Sequence, residues 1–134
     1  MEKIITALEG RKKAPTRTTR ASKLYKTIIL AIKEKKGEAI VSLDLRKIDE
    51  AVADFFIICQ ANNPNQLKSI ADYIEEKVQE LCGEAAYKHE GRQAQQWILI
   101  DYVNVVVHVM LPEPRKFYQL EEMWSDASVT EHND

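Results

Sequence analysis

Residues 97–110 read WILIDYVNVVVHVM and form the most apolar run in the chain. The run has one polar break, at 101–104, which is typical of the tip of a β-hairpin. A two-residue loop at Val103-Asn104 would pair the two halves as antiparallel strands and place four aliphatic side chains on one face. The pairs on that face are Ile100 with Val107 and Ile98 with Val109. The stretch therefore predicts a hairpin with an ordinary core face.

The opposite face of this hairpin, which we call the Trp97 face, is unlike an ordinary solvent face. Its pairs are Trp97 with Met110, Leu99 with His108, and Asp101 with Val106. Side chains this large and apolar are seldom left in water as a contiguous group. Trp and Met are also enriched at the centres of protein interfaces. Either a helix covers this face or a partner binds it.

The charge distribution divides the chain into three parts. The chain has 134 residues, enough for one domain with a hydrophobic core, and a net charge of −2. Residues 1–20 contain six bases and two acids, whereas residues 121–134 contain five acids and no Lys or Arg. We expect a disordered basic arm at 1–21, a folded domain at 22–127 and a frayed acidic tail at 128–134. A basic arm occurs in proteins that bind nucleic acid and in solubilising tails, and charge alone favours the second interpretation.

The cysteines and the apolar segments indicate a cytoplasmic protein. Cys59 and Cys82 fall in predicted core elements, and no CxxC or Cys/His ligand spacing accompanies them, which argues against structural zinc. The N-terminus lacks the apolar stretch of a signal peptide. No run approaches the roughly 20 apolar residues that a membrane span needs.

Hydrophobic periodicity predicts a mixed sheet with helices on its faces. Ser22 can cap a helix to about Lys36, and Asn63 with Pro64 can start a longer helix to about Leu81. The predicted buried stripe of the longer helix ends with Leu81, and Gly83 is expected to stop that helix. The predicted strands are Ala39–Leu45, Asp54–Gln60, a weaker one at Ala85–His89, and the two halves of the hairpin. The fold class is α/β (mixed α+β), with a central mixed sheet of about five strands flanked by helices.

A last helix is predicted at about Arg115–Trp124. Phe117, Leu120 and Trp124 lie on one side of it, and Phe117 is expected to pack against the sheet. The residues after it, 125–134, show no sustained period and are expected to be frayed.

The sequence offers little support for catalysis. Asp44 and Asp54 end one predicted strand and start the next, as metal-binding acids do in nucleotidyltransferases, but no Gly-Ser pair or Asp-x-Asp pair accompanies them. Neither His89 nor His108 pairs with a nucleophile at a recognisable spacing, and Cys59 is expected to be inert packing. We therefore expect no enzyme activity, no cofactor and no metal. The alternative is a divergent metal-dependent nucleotidyltransferase that uses Asp44 or Asp54.

An ordered set of motifs resembles the ribosomal silencing factors, also called Iojap-like proteins. The matching pieces span about residues 24–127. They are AIKEKKGEAIVSLDL at 31–45, ADFFIIC at 53–59, QLKSIA at 66–71, Glu90-Gly91, WILIDY at 97–102, VVVHVM at 105–110 and RKFYQLEEMW at 115–124. The family usually has Asp-Tyr-Gly-Asp at the hairpin tip, where this chain has Asp101-Tyr102-Val103-Asn104. Because Val disfavours positive φ, the turn is the part of the hairpin whose register the resemblance leaves open.

The resemblance implies a translational repressor rather than an enzyme. Such proteins bind the large ribosomal subunit through its protein fourteen, block joining of the small subunit and dampen translation under nutrient limitation. Their fold resembles a degenerate nucleotidyltransferase without known catalysis, and the free proteins are often homodimers. The basic arm at 1–21 lies outside the resemblance and is a candidate for contact with ribosomal RNA. A structural dimer without a ribosomal role is the third alternative.

The resemblance also places the partner surface on the hairpin. The family surface that meets the ribosomal protein includes the strand at 97–101, which coincides with the Trp97 face. The partner-binding residues expected here are Trp97, Leu99, Asp101, Tyr102, His108 and Met110. If instead a helix covers this face, the same residues belong to the core.

Overall fold

The first helix and the turn after it follow from the local sequence. A computed structural model describes residues 22–133. Helix α1 spans Lys23–Glu34, and the Ser22 hydroxyl accepts a hydrogen bond from the Tyr25 N–H at 3.2 Å, as predicted for the cap. After the helix, Lys36 takes a φ of +63°. A Cβ on Gly37 would lie 2.5 Å from the Ile32 Cγ2, so Gly37 is needed for close approach.

The longer helix, α2, spans Pro64–Cys82 and has the predicted signals at both ends. The Asn63 side chain accepts a hydrogen bond from the Gln66 N–H at 2.8 Å, and Pro64 opens the first turn. Gly83 ends the helix with a φ of +67°, and its N–H donates to the Gln79 carbonyl at 3.1 Å. One predicted core residue is wrong: Leu81 is 47% exposed.

The predicted mixed sheet is confirmed. Its strands in chain order are β1 (Glu38–Asp44), β2 (Phe55–Gln60), β3 (Lys88–Glu90), β4 (Trp97–Asp101), β5 (Val105–Met110) and β6 (Ser128–Glu131). They lie in the order β3-β4-β5-β2-β1-β6, and β2 pairs parallel to β5 whereas the other neighbours are antiparallel. The sheet therefore has six strands, one more than expected.

The sixth strand consists of residues predicted to be frayed, so that prediction is wrong. Strand β6 pairs with β1 from Val41 to Asp44. Beyond it, the His132 N–H donates to the Ile40 carbonyl at 2.9 Å, and the Asn133 side-chain oxygen accepts from the Ile40 N–H at 2.6 Å. These pairings with the backbone of β1 fix the segment without a large apolar face, which explains why periodicity missed it. The ordered part of the domain therefore extends beyond the predicted end at residue 127.

Helices cover both faces of the sheet. Helices α1 and α2 pack on the face that carries Ile98, Ile100, Val107 and Val109. The opposite face is covered by α3 (Pro112–Tyr118) and α4 (Leu120–Met123). The single last helix predicted at 115–124 is therefore divided, because Gln119 adopts a φ of +46° between the two parts. Within residues 22–133, no helix combines the length and the apolar composition needed to cross a membrane.

The hairpin keeps the predicted register despite its unusual turn. Strands β4 and β5 pair Trp97 with Met110 and Ile100 with Val107. Val103 has a φ of +72°, and the Asn104 N–H donates to the Tyr102 carbonyl at 2.9 Å across it, as in a γ-turn. The Asp101 carboxylate accepts from the Val103 N–H at 2.7 Å.

The predicted arm at 1–21 lies outside the described residues.

We expect Val103→Gly to stabilise the protein. A β-branched residue at positive φ is strained by about 1–2 kcal/mol, and Gly removes that strain while adding about 0.5–1 kcal/mol of backbone entropy to the unfolded chain. The melting temperature should rise by up to a few degrees. The control is Asn104→Gly, because Asn104 is not among the residues with positive φ, and it should be neutral or destabilising. A lower melting temperature for Val103→Gly would contradict the assigned strain.

Candidate functional site: the Trp97 face and its cover

The Trp97 face is buried in the monomer. Trp97 is 1% exposed, and Leu99, Asp101, His108 and Met110 are each 0% exposed. The protein has two apolar core clusters, one on each face of the sheet, and Trp97, Leu99 and Met110 belong to the second, beneath α3 and α4. The remaining apolar members of the second cluster are Val41, Leu43, Leu45, Ala51, Ala53, Phe56, Ile58, Val106 and Leu120. The expectation that this face is exposed is therefore wrong, because all five side chains are buried. The alternative that a helix covers the face is confirmed.

The sixth expected partner residue, Tyr102, does not belong to the Trp97 face. It is 6% exposed and packs with the apolar cluster on the other face of the sheet, under α1 and α2. Burial raises the pKa of its phenol above the usual value, and the hydroxyl has no hydrogen-bond partner. None of the six residues presents appreciable surface to a partner in this structure.

A hydrogen bond between two ring nitrogens organises the centre of the Trp97 face. The Trp97 indole N–H donates to His108 Nδ1 at 3.0 Å. Since Nδ1 accepts, the neutral imidazole carries its proton on Nε2, which is buried without a hydrogen-bond partner. The Phe56 ring stands edge-on to the imidazole, with centroids 4.6 Å apart. Burial lowers the pKa of His108 to about 3, so the ring is neutral at physiological pH.

A series of aromatic contacts leads from this buried pair to the surface. The His108 and Trp97 ring centroids are 5.7 Å apart, Trp97 and Tyr118 are 5.0 Å apart, and Tyr118 and Phe117 are 4.9 Å apart. Tyr118 is half-buried, whereas Phe117 is 78% exposed. The prediction that Phe117 packs against the sheet is therefore wrong. Leu120, at 6% exposed, fills that role as predicted.

Arg115 ties the covering helices to the sheet, and no sequence pattern predicted this role. Its Nη1 donates to the Ala39 carbonyl at 2.7 Å, and its Nη2 donates to Glu121 at 3.0 Å. The side chain is only 11% exposed. A guanidinium can serve a carbonyl and a carboxylate at once because its donors point in several directions in one plane. Arg115 thus ties α3 to β1 and to the start of α4.

The acids considered for catalysis do not form one site. Asp44 makes paired contacts with the Arg46 guanidinium, at 2.9 and 2.7 Å. Asp54 is fully buried, and neither of its carboxylate oxygens has a hydrogen-bond partner. Across residues 22–133, no group of three or more His, Cys, Asp or Glu could hold a metal ion.

The environment of Cys59 agrees with the expectation that its thiol is inert packing. Cys59 is buried in β2, and burial raises the pKa of its thiol to about 12.

The Trp97 face is a closed core that supports the surface formed by α3 and α4. Such an arrangement suits binding better than chemistry.

Comparisons with known proteins identify the proteins that this chain resembles. A family model described as "Ribosomal silencing factor during starvation" matches residues 18–134. A ribosomal silencing factor from Halalkalibacterium halodurans is 37% identical over 108 residues, which cover 81% of this chain and 91% of that protein. The crystal structure of a Chromobacterium violaceum protein aligns with a TM-score of 0.72 at 32% identity, covering 76% of this chain and 83% of that one. A mouse protein named "Mitochondrial assembly of ribosomal large subunit protein 1" is 34% identical over 74 residues, 54% of this chain and 32% of its own length.

We expect Trp97→Ala to destabilise the fold strongly. The indole is fully packed, and removing a buried Trp side chain costs about 3–5 kcal/mol. The free energy of unfolding from chemical denaturation measures the loss. The control is Tyr87→Ala, since Tyr87 is 69% exposed and should change stability by less than about 0.5 kcal/mol. If Trp97→Ala unfolded at the wild-type denaturant concentration, the Trp97 face would not be core.

We also expect acid to destabilise the protein through His108. The unfolded imidazole has an ordinary pKa of 6.5, and the folded pKa is about 3, so only the unfolded chain binds the proton between these values. Stability is full above the unfolded pKa and falls as the pH decreases below it, at a slope approaching about 1.4 kcal/mol per pH unit. The difference between wild type and His108→Gln, measured by denaturation from pH 8 to pH 4, isolates this contribution from that of the acids. A difference that stayed constant over that range would contradict the lowered pKa.

Proposed function

The chain belongs to the ribosomal silencing factor family, and on that premise we propose that it binds the large ribosomal subunit at its subunit-joining face. Bound there, it blocks association with the small subunit and dampens translation under nutrient limitation. The observation that carries this proposal is the family match, which extends over residues 18–134. The word "starvation" in the family's description supports the proposal that the protein acts under nutrient limitation.

The partner on the subunit is proposed to be its protein fourteen, as the motif resemblance implies. The name of the mouse relative, which refers to assembly of the ribosomal large subunit, supports the choice of subunit. The free protein is proposed to be a homodimer in the cytoplasm. The basic arm at 1–21 adds salt-dependent affinity through ribosomal RNA in this proposal, because neutralised phosphates release counterions.

Binding, rather than catalysis, is proposed as the mode of action. The family name describes silencing and no reaction. The pairing of both Asp44 carboxylate oxygens with the Arg46 guanidinium argues against their use as metal ligands in a nucleotidyltransferase site. The buried Trp97 face is proposed to position the surface above it, since the Trp97 ring contacts Tyr118 directly.

Sucrose-gradient sedimentation with isolated subunits tests this proposal. The protein should co-sediment with large subunits and not with small ones. Preincubation of large subunits with the protein should reduce the yield of joined ribosomes when small subunits are added, and addition after joining should have much less effect. A protein that stays at the top of the gradient with large subunits would overturn the proposal. Equal co-sedimentation with both subunits would indicate unspecific binding and would overturn it as well.

A further inference from the structure

The outer side of α3 and α4 exposes large apolar side chains. Phe117 is 78% exposed and Met123 is 63% exposed, and both lie in one segment of seven residues. Phe117 is the most exposed of the large hydrophobic residues described. Tyr118 within this segment and Trp124 directly after it add half-buried rings. Scattered single apolar residues are normal on protein surfaces, but a group of this size on one short segment is typical of an interaction site.

The exposed Phe117 ring is supported on one side by a neighbouring ring. Its ring stands edge-on to that of Tyr118, at an interplanar angle of 80°, and Tyr118 rests on the buried Trp97. Arg115 holds the helix that carries both rings against β1. A large side chain that is fixed before binding loses little conformational entropy on association. Phe117 therefore has the properties of an anchor residue.

The charge around this anchor is mainly negative. Residues 112–131 contain five acids and two bases, and one of those bases, Arg115, is engaged with Glu121. Glu122 and Asp126 are exposed beside the apolar residues. An acidic rim repels the phosphates of RNA and favours a basic protein, because complementary potentials steer association.

We propose that the α3–α4 surface (Phe117, Tyr118, Glu122, Met123, Trp124 and Asp126) docks a basic protein surface of the large ribosomal subunit. Phe117 enters an apolar depression on that partner, and Glu122 and Asp126 face its Lys or Arg side chains. This inference rests on the proposed function and adds where on this chain the contact lies. Trp97 and His108 support the surface from beneath and do not touch the partner.

The affinity of the full chain for isolated large subunits, measured by titration, tests the anchor. Phe117→Ser should weaken binding by about tenfold or more, as loss of an interface anchor does. Its melting temperature should stay near that of wild type, since the side chain is exposed. Two controls remove other large exposed side chains: Tyr87→Ser before β3, and Leu30→Ser on α1 at the opposite face of the sheet. Both should bind as wild type does.

Reversal of one charge identifies the kind of partner. Glu122→Lys should weaken binding and reduce its dependence on salt if the partner is basic. If RNA occupied the surface, the same substitution would strengthen binding, and the proposal would be overturned. Glu122 is suited to this test because it is exposed, whereas Glu121 is engaged by Arg115.

Sedimentation equilibrium of the same variants distinguishes a second copy of this chain from the ribosomal partner. If Phe117→Ser dissociates a homodimer but binds large subunits as wild type does, the surface is a self-interface and the proposal is wrong. Equal subunit binding by wild type and Phe117→Ser overturns this inference but leaves the proposed function intact. If wild type itself fails to bind large subunits, the proposed function fails.

Discussion

The single register of β4 against β5 is the constraint on which the rest of the structure depends. Because strand side chains alternate, a slip of one residue would exchange the aliphatic face with the Trp97 face. In the observed register, Trp97 lies opposite Met110 and Leu99 lies opposite His108. That arrangement requires a cover on both faces of the sheet. Helices α1 and α2 cover the aliphatic face. Helices α3 and α4, with the loop before β2, cover the Trp97 face.

The Trp97–His108 hydrogen bond explains how polar atoms are tolerated inside the second core. A buried indole N–H and imidazole nitrogen each lose hydration, and their mutual bond at 3.0 Å offsets part of that cost. The same bond orients the indole on which Tyr118 rests, and Tyr118 in turn supports Phe117. The sequence suggested that the Trp97 face binds a partner. We propose instead that this face is the buried support beneath the α3–α4 surface, and that the α3–α4 surface binds the partner.

Local signals predicted much of the fold but not the cover of the sheet. The caps at Ser22 and Asn63, the stop at Gly83 and the hairpin register depend on near neighbours, and all were predicted correctly. The exposed direction of Phe117 was not predicted. The left-handed backbone conformation of Gln119 breaks the helical period that would place Phe117 and Leu120 on one side. Strand β6 pairs with residues more than 80 positions away, and the Arg115 contact with Ala39 spans 76 positions, which periodicity cannot detect.

Hydrogen exchange of the backbone amides, with and without isolated large subunits, tests the central claim most directly. The account predicts slow exchange in β4 and β5 of the free protein, because these strands are closed beneath the helices. It also predicts that added large subunits slow exchange in α3 and α4 and leave α1 unchanged. Fast exchange at 97–101 in the free protein, or protection by the subunit confined to α1 and α2, would contradict it.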